Sequence, residues 1–390
     1  MSKSKYLLDD SDFHQYRDLF LYSFNLPEDN PYRAILKRVF TNSRVYGIKT
    51  ADELQASVTS IPFEVNFFDK NIPMAGIANV MSAPEYVQNN SIDKLMKQAF
   101  TDMHQKNIPI SYLGPFSYDY YRRFGYEQVF EGLQITMLFT NLIRYKQSFM
   151  GHLKRFKYSE AQDLIGELFA EHNDSATIIR DNWWWENLAI MFPKDRLAVY
   201  YNEFNEVNGY VRYALEAENF VVRDMYYQSP DAFIGLIHFI NKHRSVYKNI
   251  IINSTDINLK VNNFTTDPSQ AQVMIKPSMM ARIVDFKRFL QQYPLQVDNM
   301  ETIELEVNDF LSWNNHIWKL VVKDGQIGID KSDIEIPEVI VDVQTLTKAM
   351  FGYQSLKESF LVGNVQGNQD KIEALDKLFI HQKSQLKDSF

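Results

Sequence analysis

Residues 114–126 read GPFSYDYYRRFGY, and few stretches of the chain gather so many reactive side chains. Tyr118, Tyr120, Tyr121 and Tyr126 stand close together, with Arg122 and Arg123 between them. A phenol has an ordinary pKa of ~10 and keeps its proton at neutral pH, so a positioned tyrosine is a proton donor. The plainer role is structural: aromatics on a short helix pack against a sheet, and Tyr118, Tyr120 and Tyr126 are expected to do only that. Other chemistries lack their residues. The chain has no cysteine, which removes disulfides, thiolate metal sites and an acyl-cysteine route. Its eight histidines show no HxxxH or HExxH spacing, so no metal site is expected. GxxxxGK(S/T), GxSxG and GxGxxG motifs do not occur.

The elements that must hold these tyrosines can be read from periodicity. Residues 108–113 (IPISYL) read as a buried strand and 127–138 alternates like another. Between them fits a short helix closed by Gly125. Upstream, 5–9 is a short strand. Residues 10–25 carry Phe13, Tyr16, Leu19, Phe20 and Phe24 at helical spacing, with Ser11 or Asp12 as N-cap. Pro27 and Pro31 break that pattern, which restarts near Ala34. Residues 45–49, 54–68 and 74–82 read as successive strands, the last two joined by a turn at Asp69-Lys70-Asn71. A helix over 92–106, with Ser91 as cap, puts Ile92, Leu95, Met96, Ala99 and Met103 on one face.

Tyr121-Arg-Arg-Phe-Gly-Tyr126 resembles the Tyr-x-x-Phe-Gly-Phe/Tyr signature of GNAT N-acetyltransferases, and most closely the Eis (enhanced intracellular survival) branch. The element order through residue ~140 is similar to the GNAT fold. The resemblance implies acetyl-CoA as cosubstrate, with Tyr121 beside its sulfur as general acid. Amine attack on a thioester expels a thiolate, which a positioned hydroxyl can protonate. It also implies a phosphate-cradling loop after the strand that ends near Ala83-Pro84, over Val87, Gln88, Asn89, Asn90, Ser91 and Ile92. Val87 stands where the family has an arginine and Asn90 where it has a glycine, although asparagine tolerates the left-handed conformation. Backbone amides near Val80, Met81 and Ser82 would polarise the thioester carbonyl. In the family the chain ends in an aromatic residue whose α-carboxylate is the general base, and this chain ends in Phe390.

The expected fold class is α/β (α+β), with two tandem GNAT-like mixed-sheet domains followed by a sterol-carrier-protein-like domain. The divisions are 1–141 for the first GNAT domain, 142–272 for a second GNAT-like domain without a cofactor, and 273–390 for the third. Residues 197–201, 207–216 and 219–227 read as strands, and Gln228-Ser229-Pro230 leads into a helix over 231–243 as Ser82-Ala83-Pro84 does in the first unit. Residues 274–285 (MIKPSMMARIVD) resemble the opening of the Eis-like third domain. Strands are expected over 301–307, 316–323, 328–330 and 339–343, and helices over 286–293, 344–351 and 370–382. Trp183-Trp184-Trp185 cannot all face one core on a helix, because adjacent side chains diverge. One or two are expected between domains. The alternative is an aromatic wall for a cationic amine, with Glu186 supplying charge.

A chain of 390 residues exceeds one core and implies two or three domains. The polar start (MSKSKYLLDDSDF) does not resemble a signal peptide, and no apolar run reaches ~18 residues, so a cytoplasmic protein without membrane partners is expected. A net charge of −8 argues against nucleic acid and favours cationic amine substrates. The resemblance adds a homo-oligomer. The acceptor stays open among aminoglycosides, polyamines, lysine side chains and peptide amines. The rival function is a non-catalytic binding protein that kept the fold while its CoA loop degraded.

Overall fold

The protein is described by a computed structural model over residues 6–85, 90–171 and 175–390. The first unit opens with α1 (Phe13–Phe24) and α2 (Tyr32–Thr41), then β1 (Arg44–Thr50), β2 (Glu53–Phe67) and β3 (Lys70–Ser82). It continues with α3 (Ser91–Gln105), β4 (Ile110–Leu113), α4 (Tyr118–Arg122), β5 (Glu127–Gln128) and β6 (Glu131–Leu138). The middle of the chain forms β7 (His152–Lys157), α5 (Ala161–Glu171), β8 (Thr177–Ile178), α6 (Asn182–Met191), β9 (Arg196–Tyr201), β10 (Val207–Glu216) and β11 (Asn219–Tyr227). Then come α7 (Pro230–Asn241), β12 (Asn249–Ser254), β13 (Gln272–Pro277) and β14 (Met280–Ile283). The last part holds α8 (Phe286–Gln292), β15 (Met300–Asn308), β16 (His316–Lys323), β17 (Gln326–Lys331), β18 (Val339–Asp342), α9 (Val343–Met350), α10 (Leu356–Leu361), β19 (Val365–Gly367) and α11 (Gln369–Asp376).

Three mixed sheets organise these elements. The first runs β1-β2-β3-β4-β14-β5, with β8 also pairing β2. The second runs β13-β6-β12-β11-β10-β9-β7 and the third β17-β16-β15-β18-β19. Two sequence readings need correction. The stretch 127–138 is not one strand: β5 stays in the first sheet while β6 crosses into the second, between β12 and β13. The stretch 274–285 does not open the third sheet: β13 pairs with β6 and β14 slots between β4 and β5. Alternation marks a strand with one buried face but does not name its hydrogen-bond partner, which is a long-range choice.

Smaller differences are local. Asp12 is the N-cap residue of α1 but makes no side-chain cap bond; the cap is formed one turn earlier by Asp9, in a capping box with Asp12. Lys5 lies outside the described residues; from Tyr6 onward only an isolated bridge, Leu7 to Tyr46, remains of the expected first strand. The β2–β3 turn is Phe68-Asp69, both at positive φ (47° and 65°), which suits a two-residue hairpin. Helix α11 ends at Asp376, short of the expected 382.

One apolar core runs through all three units. Phe67 of β2 lies 5.2 Å from Phe289 of α8 and 5.1 Å from Phe351 after α9. Trp184, Leu197 and Leu305 belong to the same cluster. β14 carries a fully buried arginine, Arg282, whose guanidinium bonds both oxygens of Asp309 at 2.7 Å. The Phe124 carbonyl accepts from the same group. Gly125, at φ +78°, has no room for a side chain, since a Cβ there would lie 2.8 Å from Cζ of Arg282. The turn closing α4 is thus locked onto the inserted strand.

Candidate active site

Strands β3 and β4 are parallel and pair from Met74–Ile110 to Ile77–Leu113. Past Ile77 they part. On its other edge β3 is bulged: Ala78 faces Thr59 and Met81 faces Ser57, so Asn79 and Val80 oppose one residue of β2. A bulge leaves a residue unpaired and re-aims the backbone. Asn79 takes the left-handed conformation (φ 48°) and is held there from both helices. Its Nδ2 donates to the Tyr16 hydroxyl at 2.8 Å, and the Tyr32 hydroxyl donates to its Oδ1 at 3.2 Å. Val80 and its backbone therefore stand at the open end of a splayed strand pair. Asn79 had no motif to announce it in the sequence.

Two cavities meet there. One, of about 290 Å³, is lined by Val80, Met81 and Ser82 of β3, by Asn90 to Asp93, and by Phe116, Tyr120 and Arg123. The sites expected from the sequence at Val80, Met81, Ser82, Asn90, Ser91 and Ile92 thus fall together. Val87, Gln88 and Asn89 lie outside the described residues. Asn90 precedes α3 with φ 53° and ψ 28°, the left-handed conformation that a family glycine would supply, and Ser91 is the first helical residue rather than the cap. The first-turn amides of α3 have no preceding-turn carbonyl to bond, so this helix end favours an anion. Arg123 faces the same cavity, bonded to Asp93 at 2.7 Å and stacked over Tyr120 with 4.2 Å to the ring centre. In the sequence it is only one residue of the Tyr121 signature, and the return of α4 beside α3 gives it this position. An anion-binding helix end, a left-handed Asn90, a nearby guanidinium and a splayed strand fit the CoA thioester expected here.

The other cavity, of about 420 Å³, shares Val80 and Phe116 with the first and adds Tyr121, Gly114 and Phe390. Tyr121 is only 3% exposed; burial first, then the neighbouring Tyr120 and Tyr126, raise its pKa above the ordinary phenol value. It is positioned by α4, whose N-cap Ser117 accepts from the Tyr120 amide. Tyr126 is structural: its hydroxyl bonds Ser111 Oγ at 2.7 Å in the buried core. Tyr118 donates to the Ser278 carbonyl at 3.0 Å. Tyr120 does more than pack, because it lines the first cavity.

Phe390 reaches this cavity along a tail fastened to every unit. The Ile380 amide donates to the Tyr293 hydroxyl at 2.9 Å and the Gln385 amide to the Ser175 carbonyl at 2.7 Å. Asp388 is fully buried between Arg180, at 3.0 Å, and the Trp184 indole N–H, at 3.0 Å. The Phe390 ring packs 5.2 Å from Phe63 and against the bare backbone of Gly76, where a Cβ would come within 2.5 Å of Cε2. The terminal carbonyl group lies 3.9 Å from the Cβ position of Gly114. Glu127, on β5 beside the tyrosine helix, is held by Arg122 at 3.0 Å and does not line the cavity. Of the three tryptophans, Trp184 and Trp185 are buried and Trp183 is partly so. Trp184 anchors the tail rather than walling the cavity, and Glu186 pairs with Arg38.

The second unit repeats the splay. β11 and β12 pair in parallel from 219–249 to 222–252 and then part. The cavity there, about 200 Å³, is lined by Arg180, Arg212, Arg223, Asp224 and Lys387 of the tail among others. Its chemistry is that of a salt-linked seam.

No group of histidine, cysteine, aspartate or glutamate side chains suited to a metal occurs among the described residues. No described helix is long and apolar enough to cross a membrane.

Comparison with known proteins gives three domain matches. Models of the acetyltransferase (GNAT) domain match residues 6–129 and 176–283, and one of the sterol carrier protein domain matches 286–387. A search of curated proteins finds no match. Among solved structures, a conserved protein of Enterococcus faecalis V583 described as a probable N-acyltransferase superposes with TM-score 0.93 at 29% identity, covering 99% of each chain. A GCN5-related N-acetyltransferase of Anabaena variabilis gives 0.85 at 20%, covering 98% of each. Eis1 of Mycobacterium abscessus gives 0.82 at 17%, covering 100% of each, and shares the fold. The succession of domains and the shared architecture make this chain an acyltransferase of the GNAT superfamily with the Eis-like plan, two tandem GNAT domains followed by a sterol-carrier-protein domain.

Proposed function

We propose that the protein transfers an acetyl group from acetyl-CoA directly to a primary amine, without an acyl-enzyme intermediate. What carries this reading is the meeting of two cavities at Val80 and Phe116, one ending at the α3 N-terminus and the other holding both Tyr121 and the C-terminal residue. Acetyl-CoA supplies the activated acetyl group and a thiolate leaving group. The chain supplies the rest. The first-turn amides of α3 and Arg123 hold negative charge at the outer end of the donor cavity. Backbone N–H groups of the bulged segment, Val80 to Ser82, would polarise the thioester carbonyl. Tyr121 keeps its proton through neutral pH and delivers it where thiolate charge develops. The α-carboxylate of Phe390 takes the proton that an ammonium must lose before its nitrogen can attack. Packing of the Phe390 ring against Phe63, Trp184 and Gly76 supports that role by restraining the last residue.

The test joins acetyl-CoA calorimetry with steady-state acetylation of an amine panel by three proteins. They are the native chain, Tyr121→Phe, and a variant carrying a few extra residues after Phe390. Tyr121→Phe should bind acetyl-CoA normally and turn over ~10²–10⁴-fold more slowly. The extended variant should bind acetyl-CoA and melt like the native chain but lose turnover. Native rates in the extended variant would move the base elsewhere, and no acetyl-CoA binding by the native chain would end the donor assignment.

A further inference from the structure

We infer that the acceptor is a monoamine on an apolar body, aryl or alkyl, with no second charge; this rests on the acyl-transfer reading above. The acceptor-side cavity is walled by Phe20 and Phe24 of α1, Leu26, Tyr32 of α2, Ile77 and Phe116. Among the described residues no aspartate, glutamate, lysine, arginine or histidine side chain lines it. Apart from the Tyr121 hydroxyl assigned to acid catalysis above, its polar side chains are engaged with one another or with the backbone. Tyr32 donates to Asn79, Asn79 to Tyr16, and Asn30 Oδ1 accepts from the Tyr32 amide at 2.9 Å. Phe390 lines the cavity with its carbonyl oxygen near Gly114, so the carboxylate proposed above would be the one formal charge there, enough for one ammonium.

Negative side chains exist nearby but turn away. Asp18, Glu53 and Glu85 line a separate cavity with Tyr22 and Ala83. Glu28 and Asp29, on the loop between Leu26 and Asn30, are exposed and do not line the acceptor cavity. A polyamine or aminoglycoside would bring further ammonium groups against aromatic walls with no counter-charge, which is unfavourable. An apolar body would instead cover Phe24 and Phe116, which are 42% and 73% exposed. Aromatic faces also suit a single cation.

Acetylation of 2-phenylethylamine and of spermidine should be compared for the native chain and for Phe24→Asp, with calorimetric binding of each amine as a readout independent of turnover. We expect kcat/KM for 2-phenylethylamine to exceed that for spermidine by at least about tenfold. Phe24→Asp, which puts a carboxylate at the mouth, should reverse the order without lowering the melting temperature. Preference for spermidine by the native chain overturns the inference while leaving acyl transfer intact, as does an unchanged order in Phe24→Asp. Selective binding of 2-phenylethylamine without acetylation of either amine keeps the inference and sinks the transfer reading. Binding of neither amine overturns the inference.

Discussion

Tyr121 owes its proposed role to where its hydroxyl is buried. Burial and two neighbouring phenols raise its pKa, so the protonated form persists beyond the usual range. The sign matters: an acid with a raised pKa stays competent as pH climbs, while the amine and its base become more competent. The kcat/KM profile should therefore rise through the titration of the amine and show no falling limb below pH ~10. A descending limb centred below pH 9, with the protein still folded, would remove Tyr121 as the acid. Gly76 is the second informative residue. Its missing side chain is the floor on which the Phe390 ring rests, with Phe63 beside it. Gly76→Ala should push the ring aside rather than unfold the strand, because the obstructing atoms are the far ends of two side chains, Phe390 and Phe63. We expect a turnover loss of tenfold or more, on the order of that set by misplacing a reacting group by an ångström, with a melting temperature near native. An equal loss in both measurements would count against it.

Among the elements, β14 carries the most consequence. It inserts between β4 and β5, the strands that flank the tyrosine helix, and brings Arg282 against Phe124. The guanidinium and its partner Asp309 are both fully buried, so removal of one leaves a charge without compensation. Asp309→Ala should destabilise by about 3–5 kcal/mol, read by denaturant unfolding. Its activity should fall with the folded fraction. A loss below about 1 kcal/mol would show that water reaches the pair. The bulge in β3 works at the same scale. It takes the strand out of register so that Val80 looks into the junction of the two cavities, and Tyr16 and Tyr32 hold the left-handed Asn79 from outside.

At the scale of the whole molecule, the tail ties the three domains together. It leaves the third domain, crosses the second at Ser175 and Arg180, and ends in the first. Asp388 is the fastening: Arg180, 4% exposed and stacked over Phe169, loses its counter-charge if Asp388 is removed. Asp388→Ala should destabilise by about 3–5 kcal/mol and expose the last residues to carboxypeptidase, with turnover lost before acetyl-CoA affinity. A variant that keeps native turnover while its tail is clipped would show that the tail is only structural.

The sequence by itself determined what is local. Helix α3, strands β1 to β3 and the short α4 stop follow from period and glycine, and the hexapeptide at Tyr121 pointed to the superfamily. The C-terminal phenylalanine was legible through resemblance alone. The tertiary structure decided what depends on partners far along the chain. It split 127–138 between two sheets and sent 280–283 into the first sheet. It turned Arg123 toward Asn90 and made Trp184 an anchor for Asp388. A side-chain pattern states which face of an element avoids water. Which neighbour then covers that face is settled by the packing of the whole chain, where hydrogen-bond partners and shape are chosen together.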